Sequence, residues 1–234
     1  MRQVLPEEYN LLTRQHYQDR AIAQRYSHEY TGKWTLKTLP ARLVAIRECR
    51  IISRAMRQIV NRSVSPIGRV IDIPCGTGKL ASVFRRFNFR VVAADISLEM
   101  MEIAECEYRT VPGFVKLVQA DASSTEFRDQ EFDAVVCLRL LHRVPDTVRE
   151  SILTELNRIS RRYVIVSVGL TSRLQQIRRQ LRHLTTGIST VPYPITKVDL
   201  ISQFTRAGLR PLYWVPVLCA LSSEWVVICE KRTC

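Results

Sequence analysis

Two glycines in a short loop are the first sign of chemistry in this sequence. Residues 70–81, VIDIPCGTGKLA, follow a β-branched run and open a stretch with helical spacing. Gly76 and Gly78 have no Cβ, so the backbone there can approach a ligand closely. A helix that starts directly after such a loop offers unpaired N–H groups and the positive end of its dipole. The pattern predicts a cradle for a nucleotide-like ligand.

The glycine loop alone fits two kinds of ligand. Gly76, Gly78 and Ala81 satisfy the G-x-G-x-x-G/A fingerprint of dinucleotide-binding proteins. Asp95 lies about 20 residues further on, where that fingerprint expects a ribose-binding acid. A nicotinamide dinucleotide and S-adenosylmethionine therefore both remain open at this point.

Three further features favour S-adenosylmethionine. Asp72 precedes the glycines, and a carboxylate there can pair with an aminoacyl ammonium, which a nicotinamide dinucleotide lacks. Asp121, in the segment QADA at the end of the third β-branched run, is placed to accept a hydrogen bond from an adenine amino group. Finally, the hairpin expected from the two closely spaced C-terminal strands leaves no room for the separate substrate domain that dehydrogenases usually carry.

The elements that must position these residues alternate from Arg69 onward. Short β-branched runs are separated by stretches with apolar residues three or four apart, which is typical of a parallel sheet covered by helices. The pattern predicts five strand–helix units, with strands at 69–73, 90–95, 115–121, 132–138 and 163–168.

The C-terminal part breaks this alternation. The segment PITKVDLISQFTRAGL predicts a helix that ends at Gly208, and LYWVPVLCAL and EWVVICEK follow with a short connector. Strands joined so closely must be antiparallel, because a parallel pair needs a long crossover. We therefore predict an α/β fold: a Rossmann-like, seven-stranded, mostly parallel sheet with a C-terminal antiparallel hairpin, plus N-terminal helices. Residues 1–65 form a helical extension, residues 66–234 the S-adenosylmethionine-binding domain, and residues 170–196 a substrate-covering insert.

From about residue 66 to 230 the chain resembles the class I S-adenosylmethionine-dependent methyltransferases, and among them the small-molecule branch. Five pieces in order carry the resemblance: VIDIPCGTGKLA, VVAADISLEMMEIA, LVQADA, FDAVVCLRLLHRVPD, and AGL followed by two strands. It implies that S-adenosylmethionine is the cofactor. It also implies cofactor-binding roles for Asp72, Cys75, Gly76 and Gly78 (methionine part), Asp95 (ribose), Ile96, Asp121 and Ala122 (adenine), Leu138 (behind the loop) and Tyr26 in the N-terminal segment.

Pro74 is a departure from the family's loop, which usually reads D-x-G-x-G-x-G. It stands where the first glycine is expected, fixes φ near −65° and removes an N–H donor. Pro74 is included in the predicted cofactor site. We expect binding to survive because Gly76 and Gly78 are kept, with a weakened site as the alternative.

Methyl transfer needs mainly alignment, and a base only if the acceptor must lose a proton. His142, directly after the fourth predicted strand, is the candidate catalytic base, with a structural role as the alternative. Arg139 and Arg143 on either side could hold an anionic group of the substrate.

The chain is strongly basic, with 35 basic and 22 acidic residues and a net charge of +13. Such a charge favours nucleic acid, an anionic membrane surface or an anionic small substrate. Two stretches with helical spacing concentrate it: one carries Arg47, Arg50, Arg54 and Arg57, and the other is SRLQQIRRQLRHLTTG. Aromatic residues do not alternate with these arginines, which argues against a platform for single-stranded nucleic acid.

These observations predict an S-adenosylmethionine-dependent methyltransferase that acts on a small-molecule or lipid-linked acceptor with an anionic group. An RNA methyltransferase and a non-catalytic protein with the methyltransferase fold are the alternatives. The seven cysteines have neither a C-x-x-C pair nor histidines at zinc-site spacing, so no metal is expected. The N-terminus, MRQVLPEEYNLL, lacks the apolar core of a signal peptide, which favours a cytoplasmic protein, either free or in contact with a membrane surface.

Overall fold

A computed structural model describes residues 39–63, 65–171, 193, 195–218 and 223–232. Tyr26, most of the N-terminal extension and nearly all of the predicted insert at 170–196 lie outside the described residues. The two-part division of the chain and the covering role of the insert therefore stay predictions.

Seven strands form one sheet, in the order β3-β2-β1-β4-β5-β7-β6. Strand β7 is antiparallel to both of its neighbours, and the other six strands share one direction. This confirms the predicted sheet and its C-terminal hairpin. The strands are β1 (Arg69–Asp72), β2 (Arg90–Asp95), β3 (Phe114–Gln119), β4 (Phe132–Cys137), β5 (Ser160–Gly169), β6 (Leu209–Pro216) and β7 (Glu224–Lys231).

The helices of the described part are α1 (Leu39–Arg62), α2 (Ala81–Phe84), α3 (Leu98–Tyr108), α4 (Asp146–Ile159) and α5 (Lys197–Arg206). Two of them begin at side-chain caps: Ser97 Oγ accepts the N–H of Met100 at 3.1 Å, and Thr196 Oγ1 accepts the N–H of Asp199 at 3.1 Å. Within this part of the chain, no helix has the length and apolar content that a membrane crossing requires.

The sheet is covered on both faces, which gives three layers. On one face α1, α2 and α3 bury residues such as Met56, Phe84 and Ala104 against the sheet. On the other face α4 and α5 bury residues such as Leu153 and Phe204. The central strands are buried on both sides, which explains why they read as nearly continuous β-branched runs.

Two expectations about the connections were wrong. The helix expected directly after the glycine loop has only four residues, because residues 76–80 form turns before it and the chain turns again at Arg85. The connection from β3 to β4 contains turns and no helix. There Glu155 of α4 fixes the chain instead, accepting the Thr125 N–H at 2.8 Å and the hydroxyl of Thr125 at 2.5 Å.

Candidate active site

The carboxyl ends of β1, β2 and β4 meet at one cavity, at the point where the strand order reverses direction. This is where open α/β sheets bind their ligands. The cavity is lined by Asp72, Pro74, Cys75, Gly76, Thr77, Lys79, Leu80, Asp95, Ile96, Met100, Leu138, Arg139, Leu140 and Arg143. Seven of the predicted cofactor residues are therefore brought together: Asp72, Pro74, Cys75, Gly76, Asp95, Ile96 and Leu138.

Asp72 lies at the end of β1, with its carboxyl group buried. The hydroxyl of Tyr108 donates to Oδ2, whereas Oδ1 is buried without a hydrogen-bond partner. Burial raises the pKa of Asp72 to about 8; the Tyr108 hydroxyl acts against this increase and the nearby Asp95 adds to it. A buried acceptor without a donor is costly, so an ammonium group in the cavity would satisfy Oδ1 and stabilise the carboxylate.

The two loop glycines are required for different reasons. Gly76 has a φ of +52°, and a Cβ there would meet nothing within 4 Å, so its backbone faces open space at the cavity. Gly78 has a φ of +82°, and a Cβ there would lie 2.8 Å from the Cβ of Glu107 and 3.1 Å from the Cα of Ala104. Gly78 thus permits close packing of the loop on α3 and is not part of the cavity lining.

The loop keeps a regular set of hydrogen bonds although Pro74 lacks an N–H group. The N–H of Ile73 donates to Val136 O at 2.9 Å, and that of Cys75 donates to Ala94 O at 2.8 Å. The loop is therefore anchored to both neighbouring strands, and Pro74 itself lines the cavity.

Asp95 ends β2 and organises the far side of the loop. Its Oδ2 accepts the N–H of Gly76 at 2.7 Å, and its Oδ1 accepts the N–H of Ser97 at 3.0 Å. Burial raises the pKa of Asp95, and these two N–H donors act against the increase. Each carboxylate oxygen has a further lone pair, so both can also accept ribose hydroxyls.

A cluster of four charges from four parts of the chain borders the cavity. Lys79 donates to the fully buried Glu48 of α1, and Arg139 Nε lies 3.0 Å from Glu48 Oε2 and 3.6 Å from Glu224 Oε1. Burial alone would raise the pKa of Glu48, but Lys79 and Arg139 outweigh it and hold that pKa below its usual value. We call Glu48, Lys79, Arg139 and Glu224 the charge cluster. It connects α1 to the glycine loop through Lys79 and to the loop after β4 through Arg139.

Arg139 also has an unusual backbone. Its φ is +58°, a left-handed conformation that is rare outside glycine, and its N–H donates to Ser167 Oγ at 2.7 Å. Non-glycine residues held in this region often mark functional sites, where the surrounding structure compensates for the strain.

His142 lies in the loop after β4, but its side chain is buried and is not among the residues that line the cavity. Burial, followed by the charges of Arg143 and Arg139, lowers the pKa of His142 to about 3. The imidazole is therefore neutral at pH 7, and so low a pKa makes it a weak acceptor of protons. Its role as a catalytic base stays a prediction.

Asp121 and Ala122 follow β3 and do not line the cavity either. The Oδ1 atom of Asp121 accepts the N–H of Ser123 at 2.9 Å and the hydroxyl of Ser123 at 2.8 Å. The contact of Asp121 and Ala122 with adenine therefore stays a prediction.

Several lining residues were not singled out from the sequence. Leu80 and Met100 form part of the apolar wall, and Thr77 and Lys79 lie between or beside the loop glycines. Thr77 and Lys79 could have been predicted from the sequence, because they stand inside or beside the glycine motif. Glu48 had no such signal, because its partners are 31 and 91 residues away.

Comparisons with known proteins agree with this fold. The strand order, the antiparallel β7 and the cavity at the strand ends define the class I methyltransferase fold. Residues 70–162 match a family model described as a methyltransferase domain. Together these findings show that the chain has the class I methyltransferase fold and that residues 70–162 match a methyltransferase domain, which agrees with S-adenosylmethionine as the predicted cofactor.

The similar proteins of known name include enzymes of quinone biosynthesis. A demethylmenaquinone methyltransferase from Streptomyces avermitilis is 29% identical over 119 residues, which cover 51% of this chain and 48% of that protein. A ubiquinone/menaquinone biosynthesis C-methyltransferase from Ectopseudomonas oleovorans is 42% identical over 72 residues, which cover 29% of this chain and 42% of that protein. The matched region thus spans less than half the length of each of these relatives.

A solved structure matches over a greater length. The magnesium protoporphyrin IX methyltransferase from Synechocystis PCC 6803, crystallised with S-adenosylhomocysteine, superposes with a TM-score of 0.76. The match covers 95% of this chain and 100% of that one at 15% sequence identity. This likeness shows a common fold.

Proposed function

We propose that this protein is an S-adenosylmethionine-dependent methyltransferase whose acceptor is a small, largely apolar molecule with an anionic group. The observation that carries the proposal is the buried, unpartnered Oδ1 of Asp72 in the same cavity as the open backbone of Gly76. A carboxylate so placed suits an aminoacyl ammonium, which distinguishes S-adenosylmethionine from a dinucleotide.

The residues of the cavity divide into those suited to hold the cofactor and those suited to align the acceptor. When bound, S-adenosylmethionine supplies a methyl group on a sulfonium sulfur. Asp72 would bind the amino group, Asp95 the ribose hydroxyls, and Ile96 and Met100 the adenine face. Leu138 and Leu140 would exclude water and orient the acceptor, which is most of what this reaction requires from a protein.

The chemistry of the acceptor follows from the remaining wall of the cavity. Leu138 and Leu140 alternate with Arg139, and Arg143 follows one turn later. An apolar body would contact the leucines, and a carboxylate or an ionised hydroxyl group would be attracted by Arg143. The named relatives act in quinone biosynthesis, and that supports an apolar ring as the acceptor body.

Two measurements test this proposal. Calorimetry on the pure protein should show binding of S-adenosylhomocysteine, and absence of binding at millimolar ligand would overturn the proposal. Formation of S-adenosylhomocysteine should then be assayed with paired aromatic acceptors, each offered as a carboxylate and as its methyl ester. We expect the carboxylate to be preferred, and Arg143→Gln to remove that preference. Equal rates on both members of every pair would contradict the anionic acceptor.

We also propose that α1 contacts an anionic membrane surface. Its outward face carries Arg47, Arg50, Arg54 and Arg57, and none of its exposed residues between 42 and 62 is acidic. Leu43 and Ile46 are 50% and 38% exposed on the same helix, which suits a lipid surface better than RNA. Glu48 joins this half of α1 to the cavity, so a lipid-soluble acceptor would arrive close to the site.

Vesicle sedimentation tests this surface. Binding to phosphatidylglycerol-containing vesicles should exceed binding to pure phosphatidylcholine vesicles and should weaken in high salt. Changing the four α1 arginines to glutamine should abolish it. The matched control changes four exposed arginines elsewhere to glutamine, Arg85, Arg86, Arg90 and Arg109, and lowers the net charge equally. Equal loss of vesicle binding in both variants would show that only net charge matters. Binding of the protein to RNA but not to the vesicles would overturn the proposal.

A further inference from the structure

We infer that Tyr108 is a positioning residue for the cofactor's amino group: its hydroxyl holds the Asp72 carboxylate so that Oδ1 is presented to the ammonium. The inference deepens the proposed function and rests on it, because it assigns a role in the binding of S-adenosylmethionine. The observation behind it is the pair of unlike oxygens on Asp72, one held by Tyr108 and one buried without a partner.

The hydroxyl of Tyr108 is held rigidly. Tyr108 is the last residue of α3 and is fully buried, with its ring 6.5 Å from the ring of Phe84 and 5.8 Å from that of Phe114, between centroids. Burial and the charge of Asp72 raise the pKa of Tyr108, so its hydroxyl keeps the proton that it donates. The donor therefore has a fixed direction and a fixed protonation state.

The backbone N–H groups of residues 73–76 cannot replace this donor. Pro74 has no N–H group, the N–H of Ile73 is used by Val136 O, and that of Cys75 is used by Ala94 O. The N–H of Gly76 is used by Asp95. The departure of this loop from the usual glycine pattern thus coincides with a side-chain donor that reaches Asp72 from a different element.

The charges around Asp72 explain why the donor matters. Asp95 from β2 and Glu48 from α1 oppose ionisation of Asp72, and Lys79 from the loop favours it. Cys75 and Cys137 lie close as well, and burial raises the pKa of both thiols, so they stay neutral. The hydroxyl of Tyr108 is the largest influence favouring the ionised carboxylate in this buried place.

Removal of the hydroxyl should therefore shift the pH dependence of binding in a defined direction. An ammonium pairs with the ionised carboxylate, so binding of S-adenosylhomocysteine should strengthen as pH rises through the pKa of Asp72, about 8. Tyr108→Phe raises that pKa further and moves the acidic limb of the binding profile to higher pH. At pH 7 we expect roughly tenfold weaker binding, the usual size of one lost hydrogen bond to a charged group.

The experiment compares two ligands and two variants by calorimetry between pH 6 and 9. Methylthioadenosine lacks the amino-acid part, so Tyr108→Phe should leave its affinity unchanged. The control variant is Tyr163→Phe, which removes another buried tyrosine hydroxyl, one without a partner, and should change neither ligand. Equal weakening of both ligands by Tyr108→Phe, or an unmoved acidic limb, would overturn the inference and reduce Tyr108 to a packing residue.

Two further outcomes are distinguishable. If the unmodified protein does not bind S-adenosylhomocysteine, the proposed function itself fails, whereas an unmoved limb in a protein that binds the ligand removes only the role of Tyr108. If Tyr108→Phe does not fold, 3-fluorotyrosine placed at position 108 keeps the ring and strengthens the donor. The acidic limb should then move to lower pH, and no movement would count against the inference.

Discussion

At the scale of single residues, Gly76 and Gly78 can be separated experimentally. Both have a positive φ, which costs a non-glycine residue about 1 kcal/mol, but only Gly78 is closely packed. We expect Gly76→Ala to lower the free energy of unfolding by about 1 kcal/mol and to weaken binding of S-adenosylhomocysteine. Gly78→Ala should cost about 3 kcal/mol, because overpacking against Glu107 and Ala104 adds to the strain.

Urea unfolding and calorimetry on the two variants check this. A greater loss of stability in Gly76→Ala than in Gly78→Ala would contradict the roles that the structure gives the two glycines. The sequence predicted both residues as ligand contacts, because two glycines of one motif look alike until the neighbouring helix is known. What separates them is the packing of α3, which is a tertiary property.

His142 makes a prediction about pH. Its folded-state pKa, about 3, lies below the ordinary value near 6.5, so the folded protein binds fewer protons there than the unfolded chain. The resulting contribution to stability is complete above about pH 6.5 and is lost as pH falls from there toward 3. His142→Gln should therefore make the free energy of unfolding less sensitive to pH between about 6.5 and 4.

Urea unfolding at several pH values, together with NMR titration of the histidine ring protons, measures this directly. A titration of His142 near pH 6.5 would contradict the buried, neutral imidazole. It would also favour the catalytic role that its position after β4 suggested, since a base works best near the pH at which it operates.

At the scale of elements, the charge cluster is what fixes α1 against the cavity. Glu48→Gln removes a fully buried negative charge that faces Lys79 and Arg139 and leaves both cations with less compensation. We expect a loss of about 3 kcal/mol in the free energy of unfolding, as is common when one partner of a buried pair is removed. Glu105→Gln, which breaks the exposed pair with Arg109, is the matched control and should cost less than about 0.5 kcal/mol.

Urea unfolding of the two variants is the measurement, and similar losses of stability for both would show that the charge cluster contributes little.

The elements of the fold differ in how far the sequence predicts them. Strands β1 to β5 follow from local hydrophobic patterns, and the close spacing of β6 and β7 predicts their antiparallel pairing. The short α2 and the helix-free connection before β4 depend on contacts that no local pattern records, such as that of Glu155 with Thr125.

At the scale of the whole molecule, ligand binding and protonation are coupled through one buried group. The free protein holds Asp72 with a pKa of about 8, so the group is mostly protonated at pH 7. Binding an ammonium requires the carboxylate, and the proton must leave the protein. We therefore expect binding of S-adenosylhomocysteine at pH 7 to release ~0.9 proton per site, and this number to fall as pH rises through about 8.

Calorimetry at one pH in buffers with different ionisation enthalpies measures that number. Asp72→Asn is the control: it keeps the shape of the side chain, has no proton to release and should bind S-adenosylhomocysteine weakly. Methylthioadenosine, which lacks the ammonium, should bind without proton release even to the unmodified protein. Release of equal numbers of protons with both ligands would show that the coupling does not pass through Asp72. Proton release only with S-adenosylhomocysteine would show that the ionisation of Asp72 is coupled to binding of the amino group. The buried carboxyl group would then contribute to the selection of the cofactor.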